Sequence, residues 1–190
     1  MKVYCCPITD TEVASDAMAL KPVTELGTIT NKDGEVVPLM VSCNTKETSE
    51  SAAGMDLPES EEAEDEEKKL DYFWQMPGME MELTEILMVK GTNKKGEKLT
   101  PYKNWMTNYF KPYAKGVLKW NKEKGMYDED ELKTALSKFA DWVKENRKKL
   151  QVFGPSEFIT DTGIAPLVYL IYEAEADMYM FLPALDAKKF

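Results

Sequence analysis

The pattern of hydrophobic and polar positions before residue 44 is typical of short β-strands separated by turns. Lys2–Cys5 predicts a short strand, and residues 23–30 and 36–43 predict two longer ones. Between the longer pair, the turn-forming residues 31–34 predict a β-hairpin. Further strands are predicted at 70–74, 83–89, 150–153, 164–173 and 178–182. The last two of these predict a second hairpin.

The period changes to that of a helix after residue 99. Thr100 is a good N-cap, and Pro101 suits the first helical position, where its missing N–H costs nothing. Apolar side chains then recur at three- and four-residue spacing: Tyr102, Trp105, Met106, Tyr109, Tyr113, Val117 and Trp120. Pro112 interrupts this helix. Its ring would clash with the carbonyl of Asn108, so we expect a kink near Tyr109.

A second helix is predicted to begin at the acidic residues 128–131, which resemble a capping box and suit the helix dipole. Its apolar stripe is Leu132, Ala135, Leu136, Phe139, Trp142 and Val143. Because the connection 124–127 is short, the two helices should form an antiparallel hairpin over 100–149. We interpret the aromatic stripes as core and not as a ligand site. Strands, a helix pair and strands again predict one α+β domain over 1–190.

An acidic segment separates the first strands from the rest of the chain. Residues 44–69 contain ten acidic residues and three lysines, a charge of −7 out of the total of −10. Few large apolar side chains occur there, so the segment is predicted to be a disordered acidic loop. Ser60, followed by Glu61 and Glu62, is a candidate phosphorylation site for an acidic-directed kinase. The alternative interpretation is a solvated spacer.

The composition excludes most routes to catalysis. The chain has no histidine, which removes His-based nucleophile pairs, general bases and metal ligands. Its three cysteines, Cys5, Cys6 and Cys43, have no spacing typical of a disulfide framework, and no Gly-rich phosphate loop is present. A carboxylate- or metal-dependent enzyme remains an alternative without a recognisable set of residues. We therefore predict a binding protein and not an enzyme, without a cofactor.

Charge and hydropathy also limit the partners. The net charge of −10 and the single arginine, Arg147, disfavour nucleic acid. No apolar run approaches the ~18 residues of a membrane span, and the N-terminus lacks the pattern of a secretory signal. The predicted location is the cytoplasm, and the predicted partners are proteins.

The first helix carries a concentration of positive charge. Between Tyr102 and Lys124 there are six lysines and one acid, a charge of +5. Lys111, Lys115, Lys119 and Lys122 recur at three- and four-residue spacing and should share the outer side of the helix. This face would attract acidic partners, among them the acidic surface of tubulin. The alternative is a solvated lysine-rich face without a partner.

The chain resembles the translationally controlled tumour protein family over nearly its whole length. The segments that carry the resemblance are 1–4, 8–9, 12–13 and 15–16 at the N-terminus, Leu99-Thr100-Pro101-Tyr102-Lys103-Asn104-Trp105 at the helix start, and 152–154, 163–165 and 179–181 near the C-terminus. The resemblance implies a β-rich core with a protruding α-helical hairpin and a flexible loop. It also implies a fold similar to that of chaperones of nucleotide-free small GTPases.

What the resemblance implies about function is a cytosolic protein with several partners that supports growth and survival. The implied partners are small GTPases, with guanine nucleotide exchange, and tubulin. Weak calcium binding is implied as well. The chain has no EF-hand loop, so the metal ligands stay unknown.

Glu12 matches the acidic residue by which the family is proposed to contact a small GTPase. A dedicated GTPase regulator acting through Glu12 is therefore the alternative to a multi-partner protein. Another interpretation of Glu12 is that it caps a turn beside Ser15 and Asp16. Where the family usually has Gly-Glu, this chain has Gly154-Pro155, so a second acidic contact is missing at that position.

Overall fold

The computed structural model describes residues 1–8, 10, 12–44, 46–49, 72–75, 83–85, 91–155, 169–172 and 177–190. Its strands are β1 (Lys2–Cys5), β2 (Glu12–Ser15), β3 (Lys21–Thr30), β4 (Val36–Asn44), β5 (Lys46–Ser49), β6 (Tyr72–Gln75), β7 (Leu83–Glu85), β8 (Gly91–Thr92), β9 (Lys98–Leu99), β10 (Leu150–Pro155), β11 (Tyr169–Tyr172), β12 (Asp177–Phe181) and β13 (Asp186–Lys189). Its helices are α1 (Pro101–Trp105), α2 (Lys111–Lys124) and α3 (Glu129–Asn146), with a π-helical segment, Met106–Phe110, between α1 and α2.

Two antiparallel sheets form most of the β-structure. The larger has the order β3-β4-β12-β11-β10-β7, and the smaller has the order β13-β1-β2. Two pairs, β5-β6 and β8-β9, stand apart from these sheets. The β3-β4 hairpin and the β11-β12 hairpin both occur where the sequence pattern predicts them. The predicted α+β class, a β-rich core with a helical hairpin, is confirmed.

The smaller sheet joins the two ends of the chain. β13 pairs with β1 in the register Lys2↔Lys189, and the sequence pattern predicts neither β13 nor β2. The amino group of Met1 donates to the Phe190 carbonyl at 3.1 Å, and the Phe190 N–H donates to the Met1 carbonyl at 3.0 Å. These bonds hold β1 in place and so fix where the chain enters the loop between β1 and β2.

β5 differs from the prediction of disorder for the acidic segment. Residues 46–49 pair antiparallel with β6, from Lys46↔Gln75 to Ser49↔Tyr72. A polar segment gains backbone hydrogen bonds when a second strand pairs with it, and the composition of the segment alone cannot predict that pairing. Residues 50–69, the rest of the predicted acidic loop, lie outside the described residues.

The first helical segment begins as predicted and then departs from α-helical geometry. The Thr100 side chain accepts a hydrogen bond from the Lys103 N–H at 3.5 Å. Ahead of Pro112 the chain widens into the π-helical segment, in which the Lys111 N–H donates to the Met106 carbonyl, five residues back. This wider turn accommodates a proline ring that would meet the Asn108 carbonyl in an unbroken α-helix. The predicted disturbance near Tyr109 is therefore a π-helical turn.

A tight turn reverses the chain between α2 and α3. Gly125 ends α2 with φ 64°, a left-handed conformation that glycine adopts without strain. The Asn121 side chain, 2% exposed, accepts from the Tyr127 N–H and donates to the Tyr127 carbonyl, both at 2.9 Å. Asp128 then caps α3 by accepting from the N–H groups of Asp130 and Glu131. No helix among the described residues is both long and apolar enough to cross a membrane.

The core is a chain of aromatic rings between the helices and the larger sheet. Trp105 lies 5.1 Å from Phe110, and Phe110 lies 6.3 Å from Phe139, measured between ring centroids. Phe139 lies 5.0 Å from Phe181 on β12. All four side chains are buried. The predicted stripes therefore pack in or against the core, with Tyr102, Met106 and Tyr109 at its half-buried edge. The three cysteines are free and buried.

Trp142→Ala should destabilise the fold by about 3–5 kcal/mol, the usual cost of deleting a large buried aromatic side chain. Trp142 is 3% exposed and packs against Phe139 and against Tyr179, whose ring lies 5.4 Å away. Lys138→Ala, an exposed change on the same helix, should stay within about 0.5 kcal/mol of the wild type. Equilibrium denaturation measures both, and equal losses would contradict the packing described.

Candidate functional site

The loop between β1 and β2, called the clamped loop below, is described at residues 6–8 and 10 and leads to Glu12. Asp10 has a positive φ of 58°, uncommon for a residue with a side chain. Its N–H donates to the Cys6 carbonyl at 2.8 Å, and its carboxylate forms a salt bridge with Lys188 on β13. The hydrogen bond closes the loop on itself, and the salt bridge ties it to the smaller sheet.

Glu12 is exposed at the first position of β2, opposite Cys5 of β1. Burial raises the pKa of the Cys5 thiol; Lys188 lowers it, while Asp10, Glu12 and Asp186 raise it. Because all four charged groups act on one thiol, they lie in one neighbourhood. Glu12 therefore belongs to a carboxylate-rich surface at the end of the clamped loop.

The four predicted lysines lie on the exposed side of α2. Lys111, Lys115, Lys119 and Lys122 are all exposed, whereas Tyr113, Val117 and Trp120 on the other side are buried. Among the described residues, none of these lysines forms a salt bridge. This basic face is open to a charged partner, although its role in binding stays a prediction.

The clamped loop lies against α2 at Gly116. A methyl group added at Gly116 would lie 2.7 Å from Cδ1 of Ile8 and 3.2 Å from its Cγ1. Both distances are below ordinary contact, so the absent side chain of Gly116 makes room for Ile8. The contact brings the segment before Glu12 to the helix that carries the basic face. Sequence reasoning missed this contact, and its only local signal is a glycine inside a helix.

A second feature is a cleft of about 660 Å³ between β1, β13, the 31–35 turn of the β3-β4 hairpin and the turn between α2 and α3. Its polar and aromatic lining includes Lys2, Tyr4, Glu35, Tyr127 and Lys189. Burial, then the charge of Glu35 and then Tyr4, raise the pKa of Tyr127 to about 12. Burial, then Asp16 and then Glu35, raise the pKa of Tyr4. The two phenols and a carboxylate therefore share one cleft, which the sequence pattern does not predict.

Two buried asparagines hold the walls of this cleft. Asn31 accepts from the N–H groups of Asp33 and Glu35, both at 2.9 Å, and donates to the Glu35 carboxylate at 3.1 Å. Asn121 holds Tyr127 through the two bonds described above. The Lys32 N–H joins the walls by donating to the Met126 carbonyl at 2.8 Å. Hydrogen bonds thus hold both walls of the cleft in place.

The structure gives no site for two further predictions, phosphorylation of Ser60 and calcium binding. Ser60 lies outside the described residues. Within the part of the chain that the structure describes, no three His, Cys, Asp or Glu side chains are grouped so that they could hold a metal ion. Weak calcium binding therefore stays a prediction from the family resemblance.

Comparison with known proteins gives one family. The family model described as translationally controlled tumour protein matches residues 1–186. Among solved structures, the chain is similar to the translationally controlled tumor-associated protein p23fyp from Schizosaccharomyces pombe, with a TM-score of 0.50 and 17% identity over 100% of both chains. At that identity, the likeness shows the fold alone. None of the curated proteins matches the chain.

Tyr127→Phe should make the protein less sensitive to alkali. The phenol titrates near 10 when unfolded and at about 12 when folded, so the contribution of Tyr127 to stability is fully present below pH 10. It is lost as the pH rises from 10 to about 12, because the unfolded chain releases the proton first. The free energy of unfolding, measured by denaturant over that range, should fall less steeply in the variant. Parallel curves would contradict the assigned pKa.

Proposed function

Because the chain belongs to the translationally controlled tumour protein family, we propose that it is a cytosolic, multi-partner binding protein that supports growth and survival. The family is generally non-enzymatic, and protein interactions are what membership implies. Among the partners we propose a small GTPase in its nucleotide-free form, with Glu12 as the contact residue. Dedicated regulation of that GTPase is the narrower version of the same proposal.

The observation that carries the proposal is the setting of Glu12. Its carboxylate is exposed, and it follows a loop closed by the Asp10 N–H and by the salt bridge to Lys188. A carboxylate at the start of a strand, next to the anchored Asp10, can compete for the lysine or the magnesium ion that holds nucleotide phosphates. Loss of those contacts would loosen the nucleotide and favour exchange.

The position where the family usually carries a second acid places more weight on Glu12. Pro155 is the last residue of β10, and a proline side chain has no charge to offer a partner. Glu157 follows two residues later and lies outside the described residues. We therefore assign the acidic contact to Glu12 at the start of β2 and to Asp10 on the clamped loop.

A second candidate function is binding of an acidic protein surface such as that of tubulin. The observation that favours it is the exposed basic face of Lys111, Lys115, Lys119 and Lys122. Among the described residues none of these four lysines forms a salt bridge, so their charges are available to steer an acidic partner. Such binding would weaken steeply as the salt concentration rises.

Glu12→Ala should weaken binding to a nucleotide-free small GTPase of the growth-signalling class by at least tenfold, about 1.4 kcal/mol. Glu12→Gln should lose nearly as much, since the argument depends on charge and not on size. Glu25→Ala, which removes an exposed acid on β3, is the matched control and should bind like the wild type. Calorimetric titration measures all four proteins.

Two results would count against the GTPase proposal. One is a wild type that does not bind the GTPase at all. The other is an equal loss in Glu12→Ala and Glu25→Ala, because it would show that net charge and not the clamped loop determines binding.

Changing Lys111, Lys115, Lys119 and Lys122 together to glutamine should reduce tubulin binding at least tenfold and flatten its salt dependence. The matched control changes four exposed lysines elsewhere, Lys21, Lys94, Lys95 and Lys98. Co-sedimentation at two salt concentrations compares them. Equal effects of the two sets would mean that the basic face has no specific role.

A further inference from the structure

We infer that Ile8, seated on Gly116 of α2, is the apolar anchor of the surface that binds the small GTPase. Gly116 is then the residue that positions the loop leading to Glu12. The inference rests on the proposed function and deepens it, because it names the centre of the interface and the chemistry that a partner needs to match.

The exposure of Ile8 is not enough to single it out. The side chain is 39% exposed, and the other large exposed apolar side chains among the described residues are Met1, Val36 and Phe190. Single apolar side chains on a surface are common and need no explanation. What distinguishes Ile8 is that a glycine in the middle of a helix receives it.

Gly116 has no backbone reason to be glycine. Its φ is not positive, in contrast to Gly125 at the end of the same helix. Glycine inside a helix is unfavourable relative to alanine. The close approach of Ile8, at 2.7 Å from where a methyl group would be, is the feature of the structure that requires the missing side chain.

Helix geometry places this contact at a border. With about 100° per residue, Tyr113, Val117 and Trp120 point to one side of Gly116, and they are buried. The exposed lysines follow on the other side, and Lys119, three residues on, is the nearest in angle around the helix, about 60° away. Ile8 therefore sits between the core side of α2 and its basic face.

The clamped loop supplies the opposite rim of the surface. Asp10 lies two residues after Ile8 and is held by Lys188 and by the Cys6 carbonyl, and Glu12 follows on β2. An apolar centre with a charged rim is the usual anatomy of a protein interface, where a central anchor contributes most of the affinity. Because Asp10 is already held at both its N–H and its carboxylate, little ordering of that residue is needed on binding.

The chemistry of the partner follows from this layout. It should carry an apolar patch that covers the exposed part of Ile8, a basic or metal-bound group facing Glu12, and an acidic group facing Lys119. A nucleotide-free small GTPase offers the phosphate-binding lysine to the carboxylate. We therefore assign this surface to the GTPase, and not to the acidic partner of the basic face.

Titration with the nucleotide-free GTPase tests the anchor. Ile8→Ala should weaken binding at least tenfold, with the thermal midpoint close to that of the wild type because the side chain is partly exposed. Val36→Ala removes another exposed apolar side chain, 66% exposed, and should bind like the wild type. Equal affinities of Ile8→Ala and Val36→Ala would overturn the inference.

Gly116→Ala separates position from stability. The clash falls on Cδ1, the free end of a partly exposed side chain, so Ile8 can turn away while the helix keeps its shape. Alanine is the better helix former, and the thermal midpoint should not fall. Binding should nevertheless drop at least fivefold. Adding Ile8→Val, which deletes Cδ1 and keeps an apolar anchor, should recover part of the affinity.

The possible outcomes distinguish the two claims. If Glu12→Ala loses affinity while Ile8→Ala and Gly116→Ala bind like the wild type, the inference is wrong and the proposed function stands. If the wild type does not bind, the proposed function fails and the anchor fails with it. In that case, amide hydrogen exchange at Asp10, whose N–H donates to the Cys6 carbonyl, tests whether Gly116 positions the loop. Faster exchange in Gly116→Ala supports positioning by Gly116, and unchanged exchange overturns it.

Discussion

Packing of aromatic rings between α3 and β12 is the constraint on which the rest of the structure depends. The ring centroid of Phe139 lies 5.0 Å from that of Phe181 in the larger sheet and 6.3 Å from that of Phe110 in the π-helical segment. Trp142, one turn later, packs on Tyr179 at 5.4 Å. Large buried rings contribute much of the stability of a core and pack in few arrangements. They therefore fix the helical hairpin on the sheet, and α2 takes its position from that hairpin.

The far end of the hairpin is fixed by polar contacts. Asn121 holds the turn after α2 through the backbone of Tyr127, and the Lys32 N–H ties that turn to the β3-β4 hairpin. With both ends fixed, α2 is a rigid support. Gly116 lies between these ends, so its contact with Ile8 holds that part of the clamped loop in a defined position. The position of the proposed binding surface thus follows from packing on the opposite side of the same helix.

Local periodicity predicts the elements whose causes are local. β1, the β3-β4 hairpin and both helices follow from alternation, turn residues and caps, and the structure has them where the pattern places them. β2 and β13 are short and partly polar, and each forms by pairing with one edge of β1, β13 from the opposite end of the chain. Glu12 comes from the family resemblance, since nothing in its local pattern marks it. The contact between Ile8 and Gly116 joins residues more than a hundred positions apart, and its only signal in the sequence is a glycine inside a helix.

The central claim is that the clamped loop and one side of α2 form a single binding surface. Chemical-shift mapping of the isotope-labelled protein during titration with an unlabelled, nucleotide-free small GTPase tests it directly. The account predicts that the amides of Ile8, Asp10, Glu12 and Lys119 shift together, while those of the 31–35 turn stay unchanged. Shifts confined to that turn and its cleft, with the loop and α2 unaffected, would contradict it.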